Sequence, residues 1–267
     1  VDGDLATALA AERAIVRRAV AEMRPIDGGW VVGHPPLADI WHLNRVHLTG
    51  AGTGLDGVAL EALVVTEVGS VSHHRVTLDD AGMADALWPG LDARGWRRER
   101  SVVMVRDGGT PGGGGAPGRP SVRAIGESEL AAFQPVAFAD DGAVTAISAT
   151  LPARLGEAQS VLRAGTEWRG FGAGAAAGGL PASTATLYLD SDVGGRRVAF
   201  VDQVATLRAH RERGLARAVM IAALRVAADW DADLVALFAD ADDWPQVFYA
   251  GLGFLSVGRQ TAFHRDR

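Results

Sequence analysis

Residues 201–223 read VDQVATLRAHRERGLARAVMIAA. With the preceding Val198-Ala199-Phe200 they begin as an apolar strand, turn through the basic AHRERG, and continue as an amphipathic helix. In the turn, Arg211, Gly214 and Ala216 have the spacing Arg-x-x-Gly-x-Ala. The first turn of a helix carries N–H groups without intrahelical partners, and its dipole favours negative charge. Helices commonly place Ser, Thr, Asp or Asn there as a cap; residues 211–216 contain none. Flanked by His210, Arg211 and Arg213, the open donors suit a phosphate. The alternative reading is an ordinary strand–helix turn with solvated arginines.

The chain has 267 residues, 48% of them apolar and 22% charged, which fits a globular protein of one or two domains with a real core. A net charge of −6 argues against a general nucleic-acid or membrane-surface binder. No apolar run approaches the roughly 20 residues of a membrane span, and nothing resembles a signal peptide, so a cytoplasmic location is expected. The absence of cysteine removes disulfides, thiolate metal sites and a thiol nucleophile. Lysine is absent too, which excludes a Walker-type phosphate lysine and Schiff-base chemistry.

Along the chain, Asp4 to Met23 has helical spacing and ends before Pro25 and Gly28-Gly29. WVVGHPP and the alternating DIWHLNRVHLTG read as strands, Leu55–Val68 as a helix and His73–Leu78 as a strand. Asp79-Asp80 should cap a helix running to about Arg94, and RRERSVVMVR should close this α/β portion as a strand. His42, His47, His73 and His74 have no standard metal-ligand spacing and read as structural; Trp30, Trp41, Trp88 and Trp96 read as packing. Residues 107–119 form a Gly/Pro-rich linker. Beyond it come the strand SVRAIG, the short helix ESELAAFQPVAF, an extended AVTAISAT, and a helix capped by Thr150 with Pro152 in its first turn. GFGAGAAAGG and ASTATLYLD are hairpin strands, the first weakened by its glycines. RRVAFVDQVATL is the central strand, and ADLVALFAD is its buried parallel neighbour. The short segment DDWPQVFYAGLGF and the strand SVGRQTAFHR follow.

Two segments in this order carry a family resemblance. Arg211-Glu212-Arg213-Gly214-Leu215-Ala216 matches the Gln/Arg-x-x-Gly-x-Gly/Ala turn, and residues 242–254 match a short helix ending in Tyr-x-x-Leu-Gly-Phe, here Tyr249 to Phe254. From about Ser121 to Arg267 the chain thus resembles the GNAT superfamily of acetyl-CoA-dependent N-acyltransferases. DALWPGLDARGW in the first half faintly echoes the second segment. The resemblance implies a mixed α/β fold of two GNAT-like domains in tandem: a degenerate one over residues 1–106, the linker, and an acetyl-CoA-binding one over 120–267 with a splayed central strand.

For the site, the resemblance implies that Arg211, Glu212, Arg213, Gly214, Leu215 and Ala216 bind the coenzyme A pyrophosphate. Val204, Ala205 and Thr206 would pair with the pantetheine arm, and Phe248 and Asp242 would lie along the cofactor. Many members carry Asn at the position of Asp242, and Trp244-Pro245 is a further departure. Tyr249 would protonate the departing thiolate, and a backbone N–H near Val204 would meet the oxyanion. Asp202 is the candidate base, with Asp190 and Glu167 as alternatives. The implied partners are acetyl-CoA as co-substrate and a small-molecule or peptide amine as acceptor, with no metal, nucleic acid or membrane. The rival reading is a catalytically silent coenzyme A-binding or regulatory module.

Overall fold

The computed structural model describes residues 2–50, 54–69, 73–112, 120–140, 144 and 147–266. Its contacts divide the chain into two compact units, neither of them a continuous half. The first comprises Val1–Leu9, Val20–Met104 and Phe238–Arg267, and the second Ala10–Ala19 and Val105–Leu237. Residues 113–119 of the expected linker lie outside the described residues.

The chain opens with α1 (Asp2–Ala19), shared between the units. In the first unit follow β1 (Glu22–Ile26), β2 (Gly29–Gly33), β3 (Arg45–Leu48), α2 (Gly57–Val68), β4 (His73–Leu78), α3 (Ala81–Asp92) and β5 (Arg97–Asp107), whose last residues pass into the second unit. Met23, expected in the first helix, instead pairs in β1 with Val32. DIWHLNRVHLTG is not one alternating strand. Trp41–Leu43 form a 3₁₀ turn, and β3 is buried at all four positions, so its side chains cannot alternate between core and water. Asp56 caps α2 by accepting from the N–H groups of Val58 and Ala59, starting the helix after Leu55. Asp80 alone caps α3, while Asp79 accepts from Gln260 and pairs with His47.

In the second unit lie β6 (Val122–Ile125), α4 (Glu127–Asp140), α5 (Leu151–Ala164), β7 (Glu167–Ala173), β8 (Ser183–Val193), β9 (Arg196–Thr206), α6 (Leu215–Asp229) and most of β10 (Leu234–Asp240). Strands β6 to β9 form an antiparallel meander, and β10 adds parallel to β9. Gly194 and Gly195, with φ of 62° and 78°, make the two-residue β8–β9 turn that only such backbone angles close. The glycines of β7 have a steric cause: a Cβ on Gly170 would come within 2.6 Å of the Ile125 carbonyl oxygen. Likewise Gly156 lets α5 approach α4, since a Cβ there would reach Pro135 Cγ at 2.9 Å. Thr150 precedes α5 without a capping bond; its hydroxyl pairs with Ser148 at 3.0 Å instead. Of AVTAISAT, residues 143, 145 and 146 lie outside the described residues, and Val144 and Ile147 are helical rather than extended.

The chain returns to the first unit through the end of β10, the short helix α7 (Pro245–Ala250) and β11 (Leu255–Asp266). Thr261–Asp266 pair antiparallel with Leu78–His73 of β4, giving the order β1-β2-β3-β4-β11-β5. The core beneath unites Val46, Leu60, Val76, Leu91 and Trp96 with Phe263 from the last strand. The architecture is mixed α/β, with seven α-helices among the described residues.

Candidate active site

The centre of the second unit is β9, and two irregularities mark its far end. Pairing with β10 covers Val198–Phe200 against Leu234–Ala236; among the described residues β9 runs on from Val201 to Thr206 without it. On the other side the β8 ladder slips. Thr186 opposes Asp202 and Thr184 opposes Ala205, so the two residues Gln203 and Val204 stand against Ala185 alone. This is a β-bulge, and Gln203 takes a φ of 52°, uncommon for a residue with a side chain. Val204, Ala205 and Thr206 therefore form a half-buried strand segment. On the β8 side, Ser183 Oγ donates to the Ala205 carbonyl at 2.9 Å. The edge past the end of the β10 pairing suits an extended ligand adding as a strand.

From Thr206 the chain passes through a 3₁₀ turn at Arg208–His210 into the basic loop. Glu212 and Gly214 both adopt positive φ, 62° and 73°. Gly214 is the N-cap of α6, and no side chain caps the helix there. A Cβ on Gly214 would meet nothing within 4 Å, so the space above the first turn at Leu215 and Ala216 is open on the protein side. Arg211 Nε donates to the Thr206 carbonyl at 3.3 Å and Arg213 Nη2 to that of Ala209 at 3.1 Å, which folds both guanidiniums onto the loop. An open helix start with two arginines beside it is a site for an anion. The residues present thus fit the phosphate end of coenzyme A.

Asp202 is half-buried just before the bulge. Its Oδ1 accepts from the backbone N–H of Gln203 at 2.8 Å. Burial pushes its carboxyl above the ordinary range; the Gln203 bonds pull against that, nearby Glu12 adds to it, and Arg163 opposes it. A carboxyl raised in this way suits a general base. The alternatives fare differently. Asp190 is bound by Arg18 at 2.7 Å and buried, a structural pair. Glu167 is exposed at the start of β7, beside Arg169.

Tyr249, Phe248 and Asp242 belong to the first unit. Tyr249 is buried on α7, its ring edge-on to Phe248 and Phe254 at 5.1 and 6.1 Å. Asp242 is exposed and ion-paired with Arg100 of β5. The histidines of this unit serve its interior. His47 Nε2 lies 3.0 Å from Asp79 Oδ1, and His73 Nε2 lies 3.2 Å from the Asn44 carbonyl oxygen. Burial, aided by Arg45 and Arg75, pushes His42 down to about 3, so that it stays neutral. Among the described residues no helix is long and apolar enough to cross a membrane.

Of the residues beside Asp202, sequence reasoning named Asp190 and missed Thr184, Thr186 and Tyr188. The four alternate along β8 and are all buried. Behind them Arg163, 1% exposed, holds Glu127 in a two-bond fork at 2.6 and 2.7 Å and donates to Gln134 at 2.9 Å. The signal was present as T-x-T-x-Y-x-D, polar residues at period two on a strand with apolar partners between.

An open helix start follows a bulged strand whose edge is free past the β10 pairing, and both are set in a mixed α/β sheet. Residues 148–254 match the acetyltransferase (GNAT) family. The match runs from just before α5 through β9, the basic loop and α6 to the Leu-Gly-Phe end of the Tyr249 segment. Among solved structures, a functionally unknown conserved protein from Staphylococcus epidermidis superposes with a TM-score of 0.62 at 10% identity, covering 92% of this chain and 94% of its own. A GCN5-related N-acetyltransferase from Kribbella flavida gives 0.57 at 20% identity, over 96% and 93%. A tandem GNAT protein from the clavulanic acid biosynthesis pathway gives 0.50 at 18%, over 79% and 68%. These likenesses establish the fold. No curated protein matches the sequence.

Proposed function

We propose that the protein transfers an acetyl or other short acyl group from coenzyme A to an amine by direct attack. The observation that carries this is the bulge at Gln203 next to the uncapped start of α6, one open strand edge leading to one open anion site. In this reading Val204–Thr206 pair with the pantetheine arm, and Arg211–Ala216 bind the pyrophosphate through backbone N–H groups and charge.

Asp202 takes a proton from the acceptor ammonium. The freed amine attacks the thioester carbonyl, and the oxyanion is met by a backbone N–H near Val204. Collapse of the tetrahedral intermediate breaks the C–S bond; Tyr249 gives its phenolic proton to the thiolate, and the second proton shed by the new amide nitrogen returns through solvent to the tyrosinate. With no cysteine in the chain, a thiol acyl-enzyme is impossible, and direct attack is the simpler route. Asp242 and Phe248 are assigned to the cofactor side by resemblance. Residues 120–267 are read as the acetyl-CoA-binding domain and residues 1–106 as its degenerate tandem copy, in a cytoplasmic protein.

The test is titration with acetyl-CoA together with thiol release over a panel of arylamines, aminoglycosides and peptide N-termini. Release with at least one amine is expected. Tight acetyl-CoA binding without release on any of them would favour the silent module, and absence of binding would remove the coenzyme site itself.

A further inference from the structure

The face of the second unit that carries Asp202 holds buried hydroxyls without partners. Thr186 lies directly across the β8–β9 ladder from Asp202, and Tyr188 is one pleat further along the same face, across from Phe200. Facing pairs in such a ladder lie about 5 Å apart and diagonal ones about 7 Å. Thr186 is 0% and Tyr188 1% exposed, and neither hydroxyl has a hydrogen-bond partner. Buried polar atoms are almost always paired, so two orphans beside a half-buried carboxylate call for an explanation. A third faces the same cluster. Gln134 is oriented by Arg163, which donates to its Oε1, and its Nε2 is left without a partner.

The charges on this side decide what those groups could receive. Arg163 uses four of its five N–H donors on Glu127, Gln134 and Ser160. Its guanidinium also stacks 5.6 Å over Trp168, which sits across from Tyr188. Arg18 is held by Asp190. Both cations are thus matched by carboxylates, and the charge left over is that of Asp202, with Glu12 near enough to act on it. Tyr188 stays neutral, because burial first and Asp202 second push its phenol far above the ordinary range. The cluster is a set of neutral hydroxyl and amide groups around a negative centre. It offers hydrogen bonds to hydroxyls and attraction to an ammonium, and it offers no free guanidinium to a carboxylate.

Building on the acyltransfer reading, we infer that Thr186 and Tyr188 are specificity-determining residues that select a hydroxyl-bearing primary ammonium, free of carboxylate, as the acceptor held at Asp202. A site built to hydrogen-bond a hydroxyl discriminates strongly against the analogue that lacks it, since its buried groups are then left unpaired.

The test compares three small amines on the full-length protein: 2-amino-1,3-propanediol, its deoxy analogue isopropylamine, and serine. With acetyl-CoA, kcat/KM for the diol is expected to exceed that for isopropylamine by at least about tenfold, with serine below the diol. Tyr188→Phe and Thr186→Val should each lower the diol-to-isopropylamine ratio by about tenfold, and Thr186→Ser should restore it. A wild-type ratio near one, or a ratio that neither variant moves, overturns the assignment. If no amine releases thiol, acyltransfer fails separately, and calorimetric binding of the diol and isopropylamine makes the same comparison. Diol binding that is preferred and is weakened by Tyr188→Phe supports the site; equal or undetectable binding overturns it.

Discussion

The carboxylate of Asp202 turns back along its own strand to accept the N–H of Gln203 at 2.8 Å, in the one residue of β9 with positive φ. The bulge and the carboxyl are thus a single device: the kink that opens the strand edge also fixes the acid. Because burial raises this carboxyl, it gains its proton at a higher pH than an ordinary aspartate as the solution is acidified.

The first prediction concerns that proton. Asp202→Asn should lower kcat/KM most where the wild-type carboxyl is ionised and the acceptor still protonated, with the deficit shrinking in acid, as Asp202 itself takes up its proton, and in alkali, as the amine loses its own. An unchanged pH–rate profile would remove Asp202 from the reaction. Stability should move the other way. The folded protein holds this proton more tightly than the unfolded chain, so wild-type stability falls as pH rises from the unfolded to the raised folded value. Asp202→Asn should therefore raise Tm at pH 7, and the gain should fade below the ordinary aspartate range. Thermal melts from acid to neutral pH read this directly.

Gly214→Ala separates backbone strain from ligand exclusion. No protein atom obstructs the new Cβ, so the folding cost is that of a left-handed alanine, about 1 kcal/mol. Loss of coenzyme A affinity should exceed that figure if the open space above α6 belongs to the pyrophosphate. Calorimetric affinity set against the stability change decides it; a loss no larger than the strain would leave the loop without that role.

Tyr249→Phe tests the leaving-group acid. A fall in kcat of about a hundredfold is expected, with little change in coenzyme A affinity. Unaltered kcat would place the proton donor elsewhere.

Glu127→Ala strands a buried cation. Arg163 is 1% exposed and loses both bonds of its fork, whereas Glu127 is itself 45% exposed and partly screened. A loss of about 2 kcal/mol is expected, less than for a fully buried pair. Denaturant unfolding measures it; a cost near zero would mean that Arg163 finds other acceptors.

What could be read from residues alone follows from how local each signal was. The β9–loop–α6 unit was legible because its apolar run, its glycine and its helical stripe all lie within one short stretch. The family turn and the Tyr249 segment added order along the chain. Asp79 and Asp80 show the limit: both can cap, and only the fold reveals that one caps α3 while its neighbour meets His47. Thr150 likewise has the right chemistry for a cap, but the hydroxyl turns to Ser148. The cluster around Asp202 was hidden for a different reason. Thr186 and Tyr188 become site residues only through the β8–β9 register, and Arg163 only through its bonds to α4, relations that no single segment carries.

The pairing of β11 with β4 also sets an order of events during synthesis. Gln260 reaches Asp79 across 181 positions of sequence, and Phe263 completes a core whose other members end at Trp96. The strands up to Trp96 must wait for the one that begins at Leu255, while most of the second unit is a single run, Val105–Leu237, that emerges between them. Closure over so long a separation is slow. These strands of the first unit therefore keep an unpaired edge while the second unit is synthesised, and a nascent chain stalled short of Leu255 would present that edge to chaperones or to its neighbours.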